Sequence, residues 1–172
     1  SHLDEEKRNF DPDGDDLYVA YCCIWASDAL YYNGGAVTHS SAYNYRGNLL
    51  AARIAQLIGE DGRKYKEEAE AILKAMNERL WMKEHGHWAE FQDLMGHKRL
   101  HKSAALWSIY TPIDCGAYTP EQAYLATKYV DRDIPHIPIV VNKEDTIGYT
   151  LSTTDWMPYA WSTNNVAHEE VA

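Results

Sequence analysis

The sequence predicts an all-α protein, a run of helical hairpins forming about half of an α/α toroid, with short β-hairpins in its loops. Three observations carry this. Residues 41–58 and 64–80 read as two amphipathic helices joined by a turn so short that they must lie antiparallel. The stretch 81–91 that follows is a small hairpin of bulky aromatic side chains. Further helical patterns recur at 16–31, 102–111, 119–131 and from 164 onward.

Taken in order, the chain first presents a carboxylate-rich turn, Asp11-Pro12-Asp13-Gly14-Asp15-Asp16. Leu17, Tyr18, Tyr21, Ile24 and Trp25 follow at helical spacing and predict the helix over 16–31. In the next helix Leu50, Ile54, Leu57 and Ile58 recur at intervals of three and four, a face expected to be buried. Ser40 or Ser41 is the expected N-cap, and Gly59 stands where a left-handed residue ends a helix. The partner helix repeats the pattern with Ala69, Ile72, Leu73, Met76 and Leu80 and keeps Lys and Glu outside. Gly86 marks the tip of the aromatic hairpin. Thr119-Pro120-Glu121-Gln122 is a helix start, with an N-cap Thr, Pro at the first helical position and Gln three residues after the cap. The proline-spaced stretch 134–141 is excluded from the centre of a sheet and reads as an extended crossover.

Composition narrows the function. A chain of 172 residues, 45% hydrophobic, supports one core, and nothing in it reads as a membrane span or a disordered tract. A formal charge of -10 argues against nucleic acid, whose phosphates require clustered Lys and Arg. The 13 Tyr and 6 Trp against 2 Phe supply rings that combine an apolar face with a hydrogen-bonding tip, which suits either ordinary packing or sugar binding. The odd cysteine count, Cys22, Cys23 and Cys115, favours buried thiols over a disulfide framework.

The motifs of the helix pair resemble the six-hairpin (α/α)6 glycosidase superfamily. The resemblance lies in Ala42-Tyr43-Asn44 opening a helix, the stretch 50–60, Asn77 to Trp81 ending the second helix, and the Gly-x-aromatic hairpin 86–91. It continues through Thr119 to Ala123 and the Trp/Asn-rich loop 156–165. It implies a bacterial carbohydrate-degrading enzyme, secreted or periplasmic, that hydrolyses O-glycosidic bonds in a neutral oligosaccharide. A closed ring of that kind needs about twice the six or so helices counted here. The expectation is therefore a single segment, 1–172, of a catalytic domain incomplete at both ends, completed by the remainder of the toroid or by a second chain.

Candidate site residues follow from chemistry and from the resemblance together. Asp28 is a carboxylate set among aromatics in Trp25-Ala26-Ser27-Asp28-Ala29-Leu30-Tyr31-Tyr32, before Gly34-Gly35. That setting suits a general acid, and its place is similar to that of the acid in related toroids; a brace for the glycine turn is the other role it fits. Glu90, within Trp88-Ala89-Glu90-Phe91, is the second carboxylate, either a base or a ligand for sugar hydroxyls. Glu169 and Glu170 are further carboxylates beyond the Asn-rich loop. Trp25, Tyr43, Asn44, Trp88, Trp156, Trp161 and Asn165 combine stacking surfaces with amide hydrogen bonds and are the expected substrate contacts.

No resident cofactor is expected. Asp11, Asp13 and Asp15 form an alternating oxygen set that suits Ca²⁺ or a plain solvated turn, and Cys22 stands where an EF-hand places its bidentate Glu. His85-x-His87 and His97-x-x-x-His101 offer a weaker zinc pattern, and HExxH is absent because Ala172 follows His168-Glu169 at the decisive position. Two rival functions stand beside hydrolysis: a sugar epimerase or isomerase on the same toroid, and a non-catalytic carbohydrate-binding protein.

Overall fold

The computed structural model describes residues 1–20, 22–24, 30–32, 35–141 and 145–152. Among them are five α-helices and four two-stranded antiparallel sheets. The helices are α1 (His2–Phe10), α2 (Thr38–Leu57), α3 (Arg63–Ala75), α4 (Leu106–Asp114) and α5 (Pro120–Asp133). The strands are β1 (Cys22–Ile24), β2 (Leu30–Tyr32), β3 (Gly35–Val37), β4 (Trp81–Met82), β5 (His87–Trp88), β6 (Phe91–Asp93), β7 (His136–Val141) and β8 (Asp145–Leu151).

The predicted antiparallel pair is the centre of the fold. Helices α2 and α3 pack along their length, and Gly59 ends α2 in the left-handed region at φ 77°. The second helix then continues as a π-helical turn, Met76–Leu80, which places Met76 and Leu80 in the core. They join Leu17, Tyr18, Ile72, Trp88, Leu106 and Ile109, all 1% exposed or less. At about 1.5–3 kcal/mol for each large apolar side chain removed from water, this cluster is the main favourable contribution to folding.

The aromatic hairpin also forms. Strand β4 pairs with β5, opposing Trp81 to Trp88 and Met82 to His87, and the two indoles meet edge to face at 4.8 Å. The α5 start is reciprocal: the Thr119 hydroxyl accepts from the Gln122 N–H at 3.2 Å, and Gln122 Oε1 accepts from the Thr119 N–H at 2.8 Å. Gln122 Nε2 then donates to Asn77 Oδ1, tying this cap to the end of the helix pair.

Four expectations are corrected. Among the described residues of 16–31 no helix is present: β1 and β2 pair antiparallel, Cys22 opposite Tyr32 and Ile24 opposite Leu30. Bulky aromatic and β-branched side chains suit a ribbon as well as a helix, and apolar spacing alone does not separate the two. Helix α2 begins at Thr38, with Val37 as N-cap, because Ser41 turns its hydroxyl back to the Val37 carbonyl and accepts from the buried Tyr18 N–H. The stretch 134–141 is extended but does not cross over; β7 returns through β8 as a two-stranded ribbon, where Pro138 lacks only a donor on an edge. Most consequentially, the apolar face of α2 is open to solvent: Leu50, Ile54, Leu57 and Ile58 are 50% to 76% exposed.

One helix was not anticipated. Helix α1 starts with a capping box, Ser1 and Asp4, and carries Lys7 to Asp16 and Glu68. The pattern at 164 onward lies outside the described residues. Among the described residues no helix is long and apolar enough to cross a membrane.

Candidate functional site

Glu90 is placed by the end of α2 rather than by its own hairpin. Strand β3 pairs with β6, opposing Val37 to Phe91, and Gly35 fits this sheet because a Cβ there would lie 2.3 Å from the Gln92 carbonyl oxygen. The register brings the first turn of α2 onto residues 89 and 90. The Thr38 hydroxyl donates to the Ala89 carbonyl at 2.5 Å, and the Thr38 N–H donates to the Glu90 carbonyl at 3.2 Å. These bonds satisfy a free N–H of the helix end and fix the backbone of the carboxylate-bearing residue.

A second strand segment closes the other side. The Glu90 N–H donates to the His101 carbonyl, the His101 N–H to the Phe91 carbonyl, and the Asp93 N–H to the Arg99 carbonyl. Residues 90–93 and 99–101 thus pair across a turn in which Gly96 and Lys98 adopt positive φ. The His101 ring stacks on Phe91, with centroids 4.6 Å apart and planes 10° from parallel. Its Nδ1 approaches Glu90 Oε2 to 3.0 Å, without the alignment of a full hydrogen bond.

The resulting carboxyl group is unusual in its balance. The Glu90 side chain is fully buried, and among the described residues neither Oε1 nor Oε2 has a hydrogen-bond partner. A buried carboxylate with one nearby imidazole is expensive unless another group completes its bonding. A Glu retained only for structure would be expected to have its oxygens satisfied; here neither is hydrogen-bonded among the described residues. His39, on the first turn of α2, is also buried, and loss of hydration holds its imidazole down at about 4, neutral at pH 7.

The other candidates distribute unevenly. Trp88 is 0% exposed and packs on Trp81, so its ring is a floor for the core and has no open stacking face. Tyr43 is 54% exposed on the outer side of α2, and Asn44 spends its amide on the Ser40 carbonyl of its own helix. Asp28, Trp25, Trp156, Trp161, Asn165, Glu169 and Glu170 lie outside the described residues. A surface groove of about 590 Å³, lined by Leu49, Arg53, Gln56, Asp61, Arg63 and Lys66, sits at the α2–α3 turn. It is at the far end of a 20-residue helix about 30 Å long, away from Glu90.

The acidic turn does gather its carboxylates: oxygens of Asp11, Asp13 and Asp15 lie within 4.8 Å of one another. Their bonding is already occupied. Asp11 accepts from the N–H groups of Asp15 and Asp16; burial nevertheless raises its carboxyl above the ordinary range, the two N–H bonds offsetting part of this. Lys98 pairs with Asp13 and Asp15, and Arg79 pairs with Asp15 at 2.6 Å. Burial opposes ionisation of Asp13, but Lys98 outweighs it and the carboxyl titrates below its usual value. With two cationic side chains in place, the donor set fits Ca²⁺ poorly. Asp16 holds a left-handed φ of 62° and pairs with Lys7.

Sequence reasoning placed His101 only in a weaker zinc pattern with His97 and missed its place beside Glu90. The signal was present as Gly96 between two segments of extended character, which marks a second hairpin rather than a helical turn. His85 and His87 lie with ring centroids 5.9 Å apart, and His87 Nδ1 lies 2.8 Å from the Trp88 carbonyl, which fixes that nitrogen as a donor.

No protein-family model matches the chain, and no curated protein matches it. Among solved structures it is similar to a GH78-family rhamnosidase of Bacillus sp. GL1, with a TM-score of 0.60 and 15% identity. The likeness covers 77% of this chain and 14% of that one. The chain therefore shares its fold with one portion of a six-hairpin (α/α)6 glycosidase.

Proposed function

We propose that this chain is a segment of a glycoside hydrolase, about half of an (α/α)6 ring, that cleaves glycosidic bonds in a neutral oligosaccharide by carboxylate acid/base catalysis. The observation that carries the reading is Glu90: a fully buried carboxyl with neither oxygen hydrogen-bonded among the described residues, in a chain whose fold resembles part of a glycosidase. In the reaction Asp28 gives its proton to the glycosidic oxygen as the bond from that oxygen to the anomeric carbon breaks. A water oxygen bonds to the same carbon, and its proton passes to the Glu90 carboxylate. In this reading the exposed stripe of α2 is the face on which a further helical hairpin of the ring packs, and the acidic surface is consistent with an uncharged substrate.

The test is turnover of a panel of aryl glycosides by the full chain and by Glu90→Gln. Release of aglycone and a reducing sugar, reduced about 10²–10⁴-fold in kcat by the substitution, is the expected result. Binding of a glycoside without cleavage, unchanged in Glu90→Gln, would favour a carbohydrate-binding protein. Interconversion of free monosaccharides without cleavage would favour an epimerase.

A further inference from the structure

We infer that the turn 94–98 is a lid on the Glu90 hairpin, latched by the Lys98 ammonium on the Asp13 and Asp15 carboxylates, and that release of this latch admits solvent and substrate to the buried carboxyl. Its bearing on turnover rests on the proposed role of Glu90; the latch itself stands on contacts outside that residue.

A carboxyl with 0% exposure does no chemistry on a sugar until something over it moves. The strand 90–93 is the fixed side, because β3 pairs with it and the Thr38 N–H donates to the Glu90 carbonyl. The segment 99–101 is the other side. From the tip inward, the Asp93 N–H donates to the Arg99 carbonyl, Gln92 bridges Leu100, the His101 N–H donates to the Phe91 carbonyl, and the Glu90 N–H donates to the His101 carbonyl. The His101 ring lies on Phe91 and comes within 3.0 Å of Glu90 Oε2, so lifting this segment uncovers the carboxyl. The tip itself is loosely packed: Met95 is 80% exposed, and a Cβ at Gly96 would meet nothing within 4 Å.

Charge holds the tip down. Among the described residues the ion pairs of the turn are those of Lys98, to Asp13 and, at 3.5 Å, to Asp15. The post they fasten to is built without Lys98: Asp11 accepts from the Asp15 and Asp16 N–H groups, Asp15 accepts from the Leu17 N–H at 3.1 Å, and Arg79 pairs with Asp15 at 2.6 Å from a more buried position. The side chains of Lys98 and Asp13 are 39% and 34% exposed. An ion pair so placed is weak and screened by salt, which makes this contact the releasable one. Backbone strain falls in the same two loops. Asp16 at φ 62° and Lys98 at φ 51° are the non-glycine residues of positive φ among the described residues. Unlike an Asp, a Lys gains no local hydrogen bond from the left-handed region, so its conformation persists while the ion pairs hold it and relaxes when they break.

The experiment reads the lid on the full chain by amide hydrogen exchange and by labelling of carboxyl groups with a carbodiimide and glycine methyl ester. Lys98→Met removes the ammonium, Asp13→Asn removes one carboxylate, and Lys98→Arg keeps the charge. At low salt the Asp93 and His101 amides are expected to exchange about two- to five-fold faster in Lys98→Met, the range a partly exposed ion pair supports, and less so in Asp13→Asn, which leaves Asp15. Lys98→Arg should stay near the unsubstituted rate. In about 1 M sodium chloride, where charges act over about 3 Å, the unsubstituted chain and Lys98→Met should coincide. Labelling of Glu90 should rise wherever exchange does. Equal low-salt rates at Asp93 and His101 in the unsubstituted chain and Lys98→Met, a difference that persists in salt, or a rise shared by the amides of α3, overturns the latch. Faster exchange with unchanged labelling of Glu90 overturns its control of access. If the unsubstituted chain cleaves no glycoside, the hydrolase reading fails, while exchange and labelling still decide the lid.

Discussion

At its N-terminal end α2 is sealed, with Thr38, His39, Ser41 and Ala42 all 3% exposed or less, whereas about four turns later Leu50, Ile54, Leu57 and Ile58 stand 50% to 76% exposed. Polar residues are buried at one end, and large apolar residues meet water at the other. The difference teaches that burial is decided by what crosses the helix. At the first end β3, β6 and the 99–101 segment converge, and the buried hydroxyls find partners: Thr38 on Ala89, Ser41 on Tyr18 and Val37. At the second end the groove beside the α2–α3 turn is open, and the apolar stripe has nothing over it among the described residues. A stripe of that kind is the signature of an interaction surface.

The largest expected effect lies at the sealed end. Trp88→Ala removes a fully buried indole from beneath residues 89 and 90 and is expected to cost about 3–5 kcal/mol, read as a lower midpoint in chemical denaturation. An equally large loss on truncating Leu57 would show that the two ends do not differ as described.

The next effect is a pH dependence. The folded-state value of His39, about 4, lies below the ordinary 6.5 because burial disfavours the charged ring. Between those values the unfolded chain binds the proton and the folded chain does not. The stability contributed by the neutral ring is therefore complete above pH 6.5 and is lost as pH falls toward 4, by about 3 kcal/mol at roughly 1.4 kcal/mol per unit. The measurement is unfolding free energy against pH for the protein and for His39→Gln. The difference between the curves should change across that window, and parallel curves would remove His39 from the account.

The smallest effect sharpens the exposed end. Leu57→Ser, at a position 76% exposed, should change stability by no more than about 0.5 kcal/mol in this chain. It should also reduce self-association in sedimentation experiments, since it interrupts the apolar stripe. A loss of several kcal/mol would mean that the stripe is covered.

What could be read from the sequence varied with the range of the interaction. The α2–α3 pair, Gly59, the Trp81–Trp88 hairpin and the Thr119 cap all depend on residues a few positions apart, and each is found where its local chemistry places it. The stretch 16–31 misled because Tyr, Trp, Cys and Ile serve a helix face or a ribbon equally, and the pairing of β1 with the neighbouring β2 decided the matter. Glu90 was legible as a carboxylate among aromatics. Its partner His101 was not, because the contact spans a turn whose strands were not recognised, and the histidine spacing suggested metal instead.

By itself the sequence determined the period of each long helix, the caps and turns that bound them, and the identity of one carboxylate worth examining. These are fixed by chemistry within a few residues: side-chain spacing against a 3.6-residue turn, a hydroxyl reaching a free N–H, a glycine accepting positive φ. Only the tertiary structure decided which faces are covered, that His101 comes within 3.0 Å of the buried Glu90 carboxyl, and that Lys98 and Arg79 occupy the acidic turn. Burial and charge pairing depend on groups that are far apart along the chain and become neighbours only when it folds.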